Sequence, residues 1–91
     1  MMTNLFPARL VGFFRAMPGW SMSWHPAPRR QLVMVLTGSM EIEVGDGEKR
    51  IFEPGSVLLV EDTIGEGHKT KALGNTELLF VWVPISTETL K

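Results

Sequence analysis

The chain reads as an all-β protein, an antiparallel barrel, on three observations. Helical periodicity is almost absent, and apolar residues recur instead in short β-branched or aromatic runs. Gly, Pro and Asp punctuate those runs every eight to twelve residues or so, the spacing of a sandwich or barrel. No interval leaves room for the crossover helices that parallel strands require.

The clearest strand is Met40 to Val44, where apolar and acidic residues alternate so that one face meets a core and the other water. Gly45-Asp46-Gly47 supplies a tight turn, and Glu48 to Phe52 returns as the partner strand. That hairpin sets Glu41 or Glu43 against Lys49 or Arg50. Ser21 to Trp24 alternates as well, with Trp20, Met22 and Trp24 on one side and Ser21, Ser23 and His25 on the other. Gln31 to Leu36 and Ser56 to Val60 are nearly all apolar, the pattern of strands covered on both faces. Glu77 to Val83 closes the series before Pro84, and Phe13-Phe14 adds a strand ahead of Pro18-Gly19. The count is about seven strands. The polar residues Ser86 to Lys91 are expected to fray or form a short cap.

At 91 residues the chain is expected to be a single domain over residues 1–91, with its core in residues 13–84. A net charge of −1, with no basic run longer than Arg29-Arg30, argues against nucleic acid and anionic membrane as partners. The absence of cysteine removes disulfide and thiolate chemistry. Pro7, Arg9, Gly12 and Arg15 interrupt Leu5 to Met17, which therefore does not read as a secretory signal. No stretch of ~20 apolar residues exists to span a bilayer. A soluble, cytoplasmic protein is expected.

Only two histidines occur, His25 and His68, at the ends of strand-like runs. His25 opens the segment that runs to Gly38, and Pro54-Gly55 leads through Glu61 to Gly67 into His68. In these segments the chain resembles the cupin superfamily, and more narrowly its small single-domain members, over roughly Phe13 to Pro84. The resemblance implies a cupin-type double-stranded β-helix, or jelly-roll, barrel in which two motifs bring metal ligands together. The first motif holds His-x-His, a glutamate and a closing glycine. Aligned on Gly38, it places His25 at the first histidine, Ala27 at the second and Gln31 at the glutamate. The second begins at a glycine, here Gly55, and ends at a histidine, here His68, with Glu61-Asp62-Thr63 in place of the usual Pro-x-Gly. The glycines of the pattern are kept and the ligands only in part.

The resemblance thus implies a pocket lined by His25, Gln31 and His68, with the Glu61 to Gly67 loop at its entrance. As a metal site, His25, Gln31 and His68 would offer two imidazoles and a neutral amide oxygen to a divalent Zn, Ni, Mn or Fe ion. Glu61, Asp62 and Glu66 stand near His68 in sequence and suit an acid/base pairing, and Asp62-Thr63 suits a local side-chain turn. Arg29 and Arg30 match a carboxylate, either on an anionic ligand or on Glu61, Asp62 or Glu66 of the same domain. No Gly-x-Ser-x-Gly or phosphate loop is present.

Three functional readings follow. The first is a small-molecule-binding cupin using His25, Arg30, Gln31, Glu61 and His68. The second is a metal-dependent enzyme of dioxygenase or isomerase type, and the third a non-catalytic interaction module. Alternate residues of an all-apolar strand must point out of a barrel, so Leu32, Met34 and Leu36, or their neighbours, are expected on an outer face. A homodimer joined through that sheet is therefore expected.

Overall fold

Alternation of inward and outward side chains organises most of the strands, most plainly β7. The structure, a computed structural model, describes residues 1–85. Its strands are β1 (Gly12–Ala16), β2 (Ser21–His25), β3 (Gln31–Thr37), β4 (Ser39–Val44), β5 (Lys49–Phe52), β6 (Val57–Val60), β7 (His68–Leu73) and β8 (Leu78–Pro84). They form two four-stranded sheets, ordered β1-β8-β3-β6 and β2-β7-β4-β5, with every pairing antiparallel. The expectation for Ser86 to Lys91 lies outside the described residues. Among the described residues no helix is long and apolar enough to cross a membrane.

The strand that the sequence reading passed over is β7. Its inward residues, His68, Thr70 and Ala72, are buried but only weakly apolar, while Lys69 and Lys71 point out. Little in such a segment reads as a hydrophobic run, although the period of two is there.

The two inner faces enclose one core of Ala16, Val33, Val35, Met40, Ala72 and Leu78. Phe14, Trp20, Phe52, Leu58, Phe80 and Trp82 pack around it. Val35, Met40 and Leu78 are fully buried, and each such side chain stabilises the fold by ~1.5–3 kcal/mol. Gly38 lies where the chain leaves one sheet for the other. Its φ is +74°, and a Cβ there would stand 2.5 Å from the Glu77 carbonyl oxygen, so the corner admits only glycine.

The outer face of the β2-β7-β4-β5 sheet is charged. Glu43 lies opposite Lys49 across the hairpin, as expected, but the ion pairs run to β7 instead. Lys69 Nζ is 3.6 Å from Glu43 and Lys71 Nζ 3.7 Å from Glu41.

Simple alternation fails in β2. Met22 lies opposite Thr70 and His25 opposite His68, so Ser23 and Trp24 together face the single Lys69. This is a β-bulge. It parts Trp24 from Met22, its expected neighbour on one face. The Trp24 ring instead carries Lys69 Nζ 5.4 Å from its centroid.

Candidate functional site

The site is built where β2, β7 and the loop between β6 and β7 meet. Residues directly opposite across an antiparallel pair share a face, so the register that pairs His25 with His68 brings their rings together. The ring centroids are 4.7 Å apart, tilted by 56°. His68 is buried and His25 half-buried.

The loop is latched to the segment after β2. Ala27, itself buried, donates its backbone N–H to the Asp62 carbonyl at 2.9 Å. Gly67, at φ +77°, passes so close to His25 that a Cβ would stand 2.0 Å from the His25 carbonyl oxygen. Within the loop Thr63 N–H donates to the Glu61 carbonyl at 2.8 Å. The Asp62 side chain makes no local turn of the expected kind and reaches His68 instead, with Oδ2 2.5 Å from Nδ1.

That contact defines the chemistry of His68. A carboxylate only accepts, so Nδ1 donates and the neutral ring keeps its lone pair on Nε2. His25 is held the same way, with Nδ1 donating to the Ser23 carbonyl of the bulge at 2.7 Å. Both imidazoles thus have one nitrogen fixed by the protein, and no protein partner holds either Nε2 among the described residues.

Gln31 stands on the inner face of β3 with Val33 and Val35, opposite Val60. Its Oε1 is buried without a hydrogen-bond partner. Arg30 turns to the loop and donates from Nε to Glu61 Oε2 at 3.2 Å, the intramolecular pairing.

A cavity of about 420 Å³ opens between the β4–β5 hairpin and β6. Ile42, Val44, Phe52, Leu58 and Val60 make its apolar wall, and Glu61, Asp62 and His68 form a polar end. His25, Arg30 and Gln31 are not on this wall. Glu48 and Arg50 are, joined by an ion pair of 2.9 Å. In the sequence both residues stand out only as parts of the hairpin. The available signal was alternation, because Arg50 shares a face of β5 with Phe52, a residue packed on the core.

The donor set does not fit a tightly held divalent metal. His25, His68 and Gln31 bring no negative charge, the Asp62 oxygen nearest the rings is taken by His68, and Ala27 presents a methyl group. Among the described residues no group of three or more His, Cys, Asp or Glu side chains is placed to hold a metal ion. Two imidazoles and one amide oxygen suit, at most, a loosely held borderline ion.

The family model of the cupin domain matches residues 12–84, and the chain belongs to that family. Solved structures show the same barrel. A cupin domain from Bordetella pertussis is 20% identical, with a TM-score of 0.67, over 96% of this chain and 100% of its own. A predicted oxalate decarboxylase from Thermotoga maritima is 28% identical, with a TM-score of 0.68, over 86% of this chain and 66% of its own. The polyketide cyclase RemF from Streptomyces resistomycificus is 23% identical, with a TM-score of 0.69, over 96% of this chain and 58% of its own. A cupin-like protein from Thermotoga maritima, 23% identical with a TM-score of 0.69 over 81% of this chain, is matched over 54% of its length. The chain therefore spans little more than half of some of these proteins. No curated protein matches the sequence.

Proposed function

We propose that this cupin binds a small, largely apolar molecule in the cavity between the β4–β5 hairpin and β6, with the molecule's polar end at His68. The observation that carries this reading is that apolar side chains make up most of the cavity's wall, with a polar end at Glu61, Asp62 and His68 and the Glu48–Arg50 pair as the other polar lining. That end holds an imidazole fixed at Nδ1 by Asp62. Ligand sites are commonly clefts of ~300–1,000 Å³ with apolar walls and a few oriented polar groups. His68 Nε2 would accept a hydrogen bond from a hydroxyl or amide of the ligand, and Arg50 lies on the same wall for an acidic group. His25 supports the site from behind by packing against the His68 ring.

Amide-shift mapping by NMR tests the reading, using millimolar indole, phenol, hexanol and hexanoate as probes. The expected result is saturable shifts at Val44, Phe52, Val60 and His68 with at least one probe. Leu58→Trp, which fills the cavity, abolishes them. Absence of saturable shifts with all four probes, or shifts unchanged in Leu58→Trp, overturns it.

A further inference from the structure

We infer that the hollow between the arm ahead of β1 and the end of β8 is a second binding site, for a small organic carboxylate with an apolar body. It shares no residue with the cavity proposed above. Its volume is about 470 Å³, and Pro7, Arg9, Leu10, Arg29, Pro84 and Ile85 line it. Two arginines and four apolar side chains therefore meet in one concavity that no carboxylate lines.

The arginines single this hollow out. The chain has five of them. Arg15 is paired with Glu77, Arg30 with Glu61 and Arg50 with Glu48. Arg9 and Arg29 are exposed, have no acidic partner among the described residues, and both line the hollow. The neighbouring arginines thus part company, Arg30 turning to the loop carboxylate and Arg29 to a site with none. Two guanidiniums on one small concavity repel each other, and an anion between them removes that cost.

The apolar lining decides which kind of anion. Pro84 is buried and Ile85 half-buried, and Ile85 donates its backbone N–H to the Arg30 carbonyl at 3.0 Å. That bond and the pairing of Pro84 with Gln31 tie this side of the hollow to the start of β3, next to Arg29. Leu10, 56% exposed, and Pro7 add apolar surface from the arm. Inorganic phosphate would satisfy the arginines and leave these side chains wet. A carboxylate carrying an alkyl chain or an aromatic ring engages both, because a guanidinium fork matches its two oxygens and each methylene removed from water adds affinity.

The cavity between the hairpin and β6 has the opposite balance of charge. Glu48, Glu61 and Asp62 line it beside one arginine, itself paired with Glu48. An ionised acid is therefore better matched by the hollow of Arg9 and Arg29.

Shift mapping of amides and arginine Nε–H groups on the full chain near neutral pH tests this. Octanoate is the probe, octanol its uncharged counterpart and inorganic phosphate the bare anion. Octanoate should give saturable shifts at Leu10, Arg29 and Ile85 and at the Nε–H of Arg9 and Arg29. Octanol and phosphate should each bind there about 10-fold more weakly or worse. Arg9→Gln and Arg29→Gln, at exposed positions, should each weaken octanoate about 5- to 10-fold. Leu58→Trp, which fills the other cavity, should leave these shifts unchanged, so the two sites are judged separately. Absence of octanoate shifts overturns the inference, as does unchanged affinity in either glutamine variant that folds by circular dichroism. Equal binding of octanol would leave only an apolar surface, and equal binding of phosphate an adventitious ion only; each overturns it. Shifts that appear only in Glu88→Gln would mean that the chain's own carboxylate takes the place, and overturn an external acid as occupant.

Discussion

His25 and His68 face each other across two neighbouring strands with their ring centroids 4.7 Å apart, and each ring has its Nδ1 held by a different protein acceptor. Asp62 holds one, the Ser23 carbonyl the other. The pair is thus oriented by the barrel itself, before any guest arrives.

The Asp62 contact fixes the proton on the His68 ring. In the wild type, long-range proton–nitrogen correlation spectra of the neutral ring should show Nδ1 protonated and Nε2 bare. Asp62→Ala should shift the population toward the Nε2-protonated form and cost about 1–2 kcal/mol of stability. An unchanged tautomer would remove Asp62 from the site.

Gly67 tests the latch between the loop and β2. Gly67→Ala puts a methyl group into the His25 carbonyl at a positive φ, and should lower the unfolding free energy by about 3 kcal/mol. Gly47→Ala meets no neighbouring atom at φ +88° and should cost about 1 kcal/mol. Denaturant melts of the two variants compare steric contact against backbone strain alone. Equal losses would show that the loop does not press on His25.

Gln31 carries a buried acceptor with no partner. Gln31→Met keeps the side chain's length and removes the orphan, and should raise stability by about 1–2 kcal/mol. In a domain of this size that is a rise in melting temperature of roughly 4–15 °C. A fall would mean that an ordered water or ligand satisfies Oε1 in solution.

Leu78 is completely buried at the start of β8 and belongs to the core between the sheets. Leu78→Ala should cost about 2–5 kcal/mol in a chemical melt. A domain this small has only about 5–10 kcal/mol to lose, so partial unfolding at 37 °C is expected.

The barrel was legible because most strands carry strong marks. Met40 to Val44 alternates, Leu32 to Leu36 is unbroken apolar sequence, and Pro84 marks the end of the last strand. The missed strand, β7, buries threonine and alanine where a reader looks for valine and isoleucine. The site was less legible, for two reasons. Ring proximity depends on register, and the register of β2 shifts between Met22 and His25 without a glycine or proline to announce it. Arg50 and Glu48 reach the cavity only because the hairpin stands away from β6, a tertiary relation that no local pattern encodes. Asp62, by contrast, was visible as a carboxylate near His68, and its target needed only the loop to close.

The irregularity in β2 adds one residue to the strand without moving the histidine pair. Between the Met22–Thr70 and His25–His68 pairs, Ser23 and Trp24 stand on one strand and Lys69 alone on the other. Deleting one of the two would straighten β2 and leave its histidine still opposite His68. What a shorter strand would forfeit is the anchor, because the carbonyl that steadies His25 Nδ1 belongs to Ser23, inside the extra loop of backbone.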